Sequence, residues 1–146
     1  MVSVQGEILI DRRPEEVFDF VADEENEPRY NPDMRYAKKM SDGPIGVGTR
    51  FDATMTGRGR LVPMTIQLTE YDRPRRLSSD VHMEAMDLRG GLTFEPVSGG
   101  TRMSWSWDLQ PHGFLRFMGP LVASMGRRME TRIWTGLKHL LEAEKQ

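Results

Sequence analysis

The sequence predicts an α+β fold in which a curved seven-stranded antiparallel sheet wraps around one long C-terminal helix. Three observations carry that expectation. Between Val2 and Leu109 most segments alternate apolar and polar residues, the pattern of strands with one covered and one wet face. Short turns rich in Gly, Pro and Asp separate successive runs, as in a meander of hairpins. After Pro111 the apolar spacing lengthens to three and four residues, which is helical.

Val2, Val4, Gly6, Ile8 and Ile10 share one face of the first strand, with Ser3, Gln5, Glu7 and Leu9 on the other. Pro14, Glu15 and Glu16 start a helix, because proline presets φ at the first helical position and acidic groups favour the positive end of the dipole. Val17, Phe20 and Val21 are its apolar stripe. Pro28 and Pro32 restrict Asp23 to Met34 to a short helical turn or a loop. Two short helical pieces therefore separate the first two strands. Strands follow over 35–40, 50–56, 60–71, 77–83, 86–94 and 101–109, with turns at Ser41–Gly48, Gly57–Gly59, Asp72–Arg75 and Ser98–Gly100. The closing helix opens with a turn over about 113–118 and runs from Pro120 to about Ala143. Its stripe is Leu115, Met118, Val122, Met125, Met129, Ile133, Leu137 and Leu140. No internal repeat or linker interrupts the chain, so one domain is expected over 1–146.

A chain of 146 residues can bury a core without disulfides or metals. Its 22 acidic and 20 basic residues give a net charge of −2, which is no footprint for nucleic acid. The absence of cysteine excludes a disulfide scaffold, a thiolate zinc site and a cysteine nucleophile. Apolar runs fall far short of the roughly 20 residues that span a bilayer. Met1 to Ile10 lacks the basic and apolar regions of a secretion signal. Stable membrane insertion is therefore not expected, and the cytoplasm is the expected compartment. Eleven methionines suit either a surface that adapts to varied apolar partners or a loosely packed core.

Four segments resemble the START-like (SRPBCC) superfamily, and within it the polyketide cyclase/dehydrase branch. They are Ile8 to Asp23, with its Pro-Glu-Glu-Val-Phe helix; Arg29-Tyr-Asn-Pro32; Gly46-Val-Gly-Thr-Arg-Phe51; and Gly136-Leu-Lys-His-Leu-Leu-Glu142. The likeness covers essentially the whole chain, but these motifs form turns and packing rather than a site. The resemblance implies the helix-grip fold, with a deep cavity between sheet and helix. Family members hold lipids, sterols, polyketides, quinones or plant hormones there, and a minority perform chemistry.

In that fold Met55, Met64, Met83, Met86 and Met103 point inward from strands, and Met118, Met125 and Met129 point inward from the helix. Trp105 and Trp107 share the inward face, with Phe94, Phe117 and Leu121 as neighbours. Periodicity does not separate a lined cavity from a filled core; the resemblance favours the cavity. Ser79 is the one polar side chain among the inward strand positions, and with no inward histidine it forms no triad. Tyr30, Tyr36 and His112 are placed around the cavity mouth, where tyrosine also packs half-buried with a wet hydroxyl. Asp80, His82 and Glu84 alternate on the outer face, followed by Asp87, and read as a solvated surface rather than a metal site. The glycines of 46–48 and 57–59 lack the strand–GxGxxG–helix context of a nucleotide loop. Arg73, Arg75 and Arg76 read as a solvated hairpin tip.

The expected partner is a small hydrophobic molecule, with no cofactor and no metal, and the expected state is a monomer or homodimer. The leading expectation is a non-catalytic carrier or sensor. The second is an aromatase/cyclase acting on a poly-β-ketone, for which Tyr30, Tyr36, Ser79 and His112 are the available polar groups. The third is a membrane- or partner-docking module that uses the apolar stretch Phe114 to Val122.

Overall fold

The computed structural model describes residues 2–57 and 59–144. Strand β1 (Val2–Ile10), helix α1 (Pro14–Ala22) and a 3-10 helix (Glu24–Arg29) come first. Strands β2 (Met34–Lys39), β3 (Arg50–Gly57), β4 (Arg60–Asp72), β5 (Arg76–Met83), β6 (Met86–Val97) and β7 (Gly100–Pro111) follow. A second 3-10 helix (Gly113–Phe117) then leads into α2 (Gly119–Ala143). The strands form one antiparallel sheet ordered β1-β7-β6-β5-β4-β3-β2. This is the expected seven-stranded helix-grip architecture. The turn expected at Gly57–Gly59 includes Arg58, which lies outside the described residues.

Alternation sets the inward face as expected. Phe51, Ala53 and Met55 of β3, Met64, Ile66 and Leu68 of β4, and Met103, Trp105, Trp107 and Leu109 of β7 are all buried. In α1 the buried residues are Val17, Phe18, Val21 and Ala22. Phe18 rather than Phe20 enters the core, edge-on to Tyr71 and Phe94 at 5.1 and 5.2 Å. Phe20 stays half-buried, with the Arg29 guanidinium over its ring.

Helix α2 lies along β1 and is anchored through its second half. Ile133, Trp134, Leu137 and Leu141 are buried there, whereas Met125 and Met129 are 44% and 41% exposed. The stripe thus ends on Leu141 rather than Leu140. Glycine permits the close approaches. A Cβ on Gly136 would lie 2.3 Å from the Tyr30 carbonyl oxygen, and one on Gly6 would lie 2.4 Å from the Trp105 ring. The described residues include no helix long and apolar enough to cross a membrane.

Gly136→Ala tests this docking. Alanine in a helix interior normally stabilises by about 1 kcal/mol relative to glycine. Here the methyl group meets backbone, so a net loss of about 1–3 kcal/mol is expected from overpacking, read as a lower denaturant midpoint.

Candidate functional site

A cavity of about 300 Å³ lies between the sheet and α2. Its floor is apolar, from Met64, Ile66 and Leu68 of β4, Leu77, Val81 and Met83 of β5, and Leu88 and Leu92 of β6. The roof comes from Val122, Met125, Met129 and Ile133 of α2. Methionines at 34, 55, 64, 83, 86, 125 and 129 line it, seven of the eleven in the chain. Two larger depressions lie on the surface. One, about 540 Å³, is bordered by Arg12, Arg13 and Glu16, whose charges already pair with each other at 2.5 and 3.1 Å. The other, about 400 Å³, sits on the outer sheet face between Asp80, His82, Asp87 and Arg89. Neither has an apolar wall comparable to the inner cavity.

Of the side chains singled out in the sequence, Met55, Met64, Ser79, Met83, Met86, Trp107, Met125 and Met129 reach the cavity wall. The others lie elsewhere, each for a local reason. Phe94 and Met103 are buried in solid core, Phe94 against Phe18. Trp105 covers Gly6 and stacks near Trp134 at 6.2 Å, filling space instead of lining it. Tyr36 is 49% exposed. A register shift between Met34 and Tyr36 pairs Met34 with inward Met55 and Tyr36 with outward Thr54. Phe117 and Leu121 are 70% and 45% exposed, off the inward side of the helix start, with Arg116 stacked on the Phe117 ring. Met118 packs against the small Val4–Leu109–Val122 cluster. His112 is not at the mouth: it bonds Asp87 and the Glu84 carbonyl on the outer face, where Asp87 also bonds His82. Among the described residues no group of His, Asp and Glu is arranged to hold a metal ion.

Beyond the strand positions, where Ser79 is the one polar side chain expected, charge enters at one end of the cavity. Glu24 and Glu27 of the first 3-10 helix, Asn31 just after it, and Glu130 of α2 all line the wall. Asn31 is 1% exposed. Its Nδ2 donates to Glu27 Oε2 at 2.7 Å and its Oδ1 accepts from the Asp33 N–H at 3.0 Å. That fixes the Glu27 carboxyl in place. Burial, together with the nearby Glu27 charge, holds Glu24 well above the usual carboxylate range, and Glu24 Oε2 is sealed from solvent without a donor. Burial, then the Glu27 charge, pushes Glu130 up to about 8, with the Trp134 N–H pulling the other way. The Trp134 nitrogen still finds no partner at full hydrogen-bond distance.

Tyr30 closes this end from behind. It is 4% exposed and stacks between Phe20 and Trp134, each 6.0 Å away. Its hydroxyl has no partner. Burial, then the charges of Glu27, Glu24 and Glu130, push its ionisation well up. Sequence reading missed the acidic group because an irregular 3-10 segment has no periodicity to read. A signal existed on α2: Glu130 stands one helical turn before Trp134, on the same face.

The fold and its cavity define a START-like protein. The chain belongs to the family described as polyketide cyclase / dehydrase and lipid transport, whose model matches residues 1–142. No curated protein matches the sequence. Solved structures with the same fold include a START superfamily protein from Mycobacterium smegmatis, 12% identical with a TM-score of 0.86 over 98% of this chain and 99% of that one. A protein from Thermus thermophilus is 20% identical with a TM-score of 0.84 over 99% of both chains. The ZhuI aromatase/cyclase from Streptomyces sp. R1128 is 10% identical with a TM-score of 0.84 over 99% of this chain and 95% of that one.

The Glu130 shift makes a pH prediction. A carboxyl whose folded pKa is raised adds stability fully present below its ordinary value of 4.5 and lost as pH rises through about 8. Wild-type protein should therefore lose stability between about pH 5 and about pH 8. Glu130→Gln should flatten that fall and melt about 3 °C or more above wild type at the alkaline end. Thermal denaturation followed by circular dichroism across this range checks it.

Proposed function

We propose that the chain binds an amphipathic small molecule, with its apolar body against the methionine-rich wall and its polar end at Glu24, Glu27 and Glu130, as a carrier or sensor. One observation carries this reading: the cavity of about 300 Å³ is apolar along the sheet and acidic at one end. A concave apolar site with a few converging polar groups is the usual form of a small-molecule pocket. Methionine supports it further, because thioether side chains repack around guests of different shape. The partly exposed Met125 and Met129 supply a soft rim. Native mass spectrometry of protein from its own host, followed by extraction, should recover an apolar small molecule. Protein that arrives empty and binds none of a panel of alkyl and aromatic compounds overturns the reading.

A second reading, an enzyme of the aromatase/cyclase kind, is favoured by a separate observation. Glu130 is a carboxyl on the cavity wall that burial pushes up to about 8, so that it stays protonated toward neutral pH, as a general acid requires; burial raises Glu24 beside it as well. Ser79 is the other candidate facing the cavity, while Tyr36 and His112 lie away from it. In this reading Glu130→Gln lowers the cyclisation rate of a poly-β-ketone at least about a hundredfold. An unchanged rate removes the enzyme reading and leaves the carrier.

Occupancy of the mouth gives a direct test of the cavity. Met125→Trp or Met129→Trp puts a bulky ring at a rim position where partial exposure spares the core. Either should weaken binding of the recovered molecule by about tenfold or more, read by titration calorimetry, with little change in melting temperature.

A further inference from the structure

The polar end of the cavity has a sign. We infer that it takes a protonated amine carried on an apolar body, because three carboxyl side chains from two elements converge there and no basic side chain among the described residues pairs with them. The inference rests on the cavity being a ligand site, as proposed above.

The basic groups on the same two elements are engaged or turned outward. Arg29 pairs with Glu144 at 2.5 Å and Arg132 with Asp33 at 2.8 Å. Lys138 pairs with Glu142 at 2.8 Å, and Arg127 and Arg128 are exposed. Glu24, Glu27 and Glu130 thus meet the cavity with no cation among the described residues; Asn31 serves Glu27, the Trp134 N–H acts on Glu130, and Glu24 hydrogen-bonds with Glu27. A buried carboxyl group without a cation is expensive, and here burial raises both Glu24 and Glu130, the latter to about 8.

A second observation points to a guest with N–H groups. The Tyr30 hydroxyl, behind the cavity wall, is buried and unpartnered and feels the charge of the same three acids. Glu24 Oε2 is a sealed acceptor without a donor. An ammonium group carries three donors and no acceptor, so it suits the carboxyl oxygens, while the unpartnered Trp107 and Trp134 N–H groups lie on the same wall. Trp134, on the cavity wall beside Glu130, adds an aromatic surface of the kind that attracts cations. When the amine enters, the carboxyls release their protons. An ionised Glu130 then gives the unpartnered Trp134 N–H an acceptor. Proton balance is complete: the amine arrives protonated and each acid that ionises sends its proton to buffer.

The test uses the full chain and three probes of one length: octylamine, octanol and octanoate, titrated near neutral pH by calorimetry. Octylamine should bind at least about tenfold tighter than octanol, and octanoate more weakly than octanol. Its heat should vary with the ionisation enthalpy of the buffer, which reports proton release. Glu27→Gln and Glu130→Gln should each cut the amine-to-alcohol ratio at least about fivefold. Glu84→Gln, an exposed position on the outer side, should leave that ratio unchanged. Equal binding of octylamine and octanol by wild type, or tighter binding of octanoate, overturns the amine assignment while the cavity reading stands. Failure of all three probes to bind overturns both. If a glutamine variant does not fold, the wild-type comparison among the probes still decides.

Discussion

The position of α2 against the sheet is the constraint on which the rest depends. Strands lie about 4.8 Å apart, so seven of them present a face roughly 30 Å wide. A helix with its side chains is about 10–12 Å across and covers two strands or so. Gly126 and Gly136 let α2 settle close to β1 and the Tyr30 backbone, which commits it to one side of the concave face. Helix α1 covers part of β6 and β7, and the first 3-10 helix sits on β2. What remains above β4, β5 and β6 is either filled by side chains or left as space. Phe94, Met103 and Trp105 fill it toward α1 and Trp134. Toward Met125 and Met129 the filling stops.

Much of this was legible in the sequence because it follows from periodicity. Alternation along β3, β4 and β7 determines which side chains face inward, and Met55, Met64 and Trp107 stand where that alternation puts them. Tyr36 escaped because one irregular register step on β2 reverses every side chain beyond it. Phe117 escaped because a 3-10 helix turns more per residue than an α-helix and sends its ring outward. The distinction between Trp105 and Trp107 was beyond the sequence. Both face inward; the Trp105 ring packs over Gly6 opposite it, whereas Trp107 borders open space.

The acidic end was illegible for a different reason. Glu24 and Glu27 belong to a segment that contains Pro28 and is followed by Pro32, rich in charge and without period, and such a composition reads as a solvated loop. Beside it Phe20, Tyr30 and Trp134, three aromatic residues from three parts of the chain, pack against one another. Tertiary packing, not local pattern, turns a polar loop into the wall of a cavity. The same packing raises the cost of every charge placed there, and a fold does not keep such groups for stability, since apolar residues of similar size would serve it better.

Shared architecture at 10–20% identity leaves the chemistry of the cavity open, because a fold hosts many functions. In this chain the charged part of the cavity is the part not set by the sheet. Its three carboxyls stand on the 3-10 helix and on α2, the two elements that face each other across the end of the cavity. With all three ionised and nothing between them, those elements repel. With protons on Glu24 and Glu130 they pack, and a cation between them would hold them by attraction at the same distance. In the proposed complex the amine would link the two elements, and Asn31, which fixes Glu27 while touching Met55, is the point at which the acidic end and the methionine wall meet.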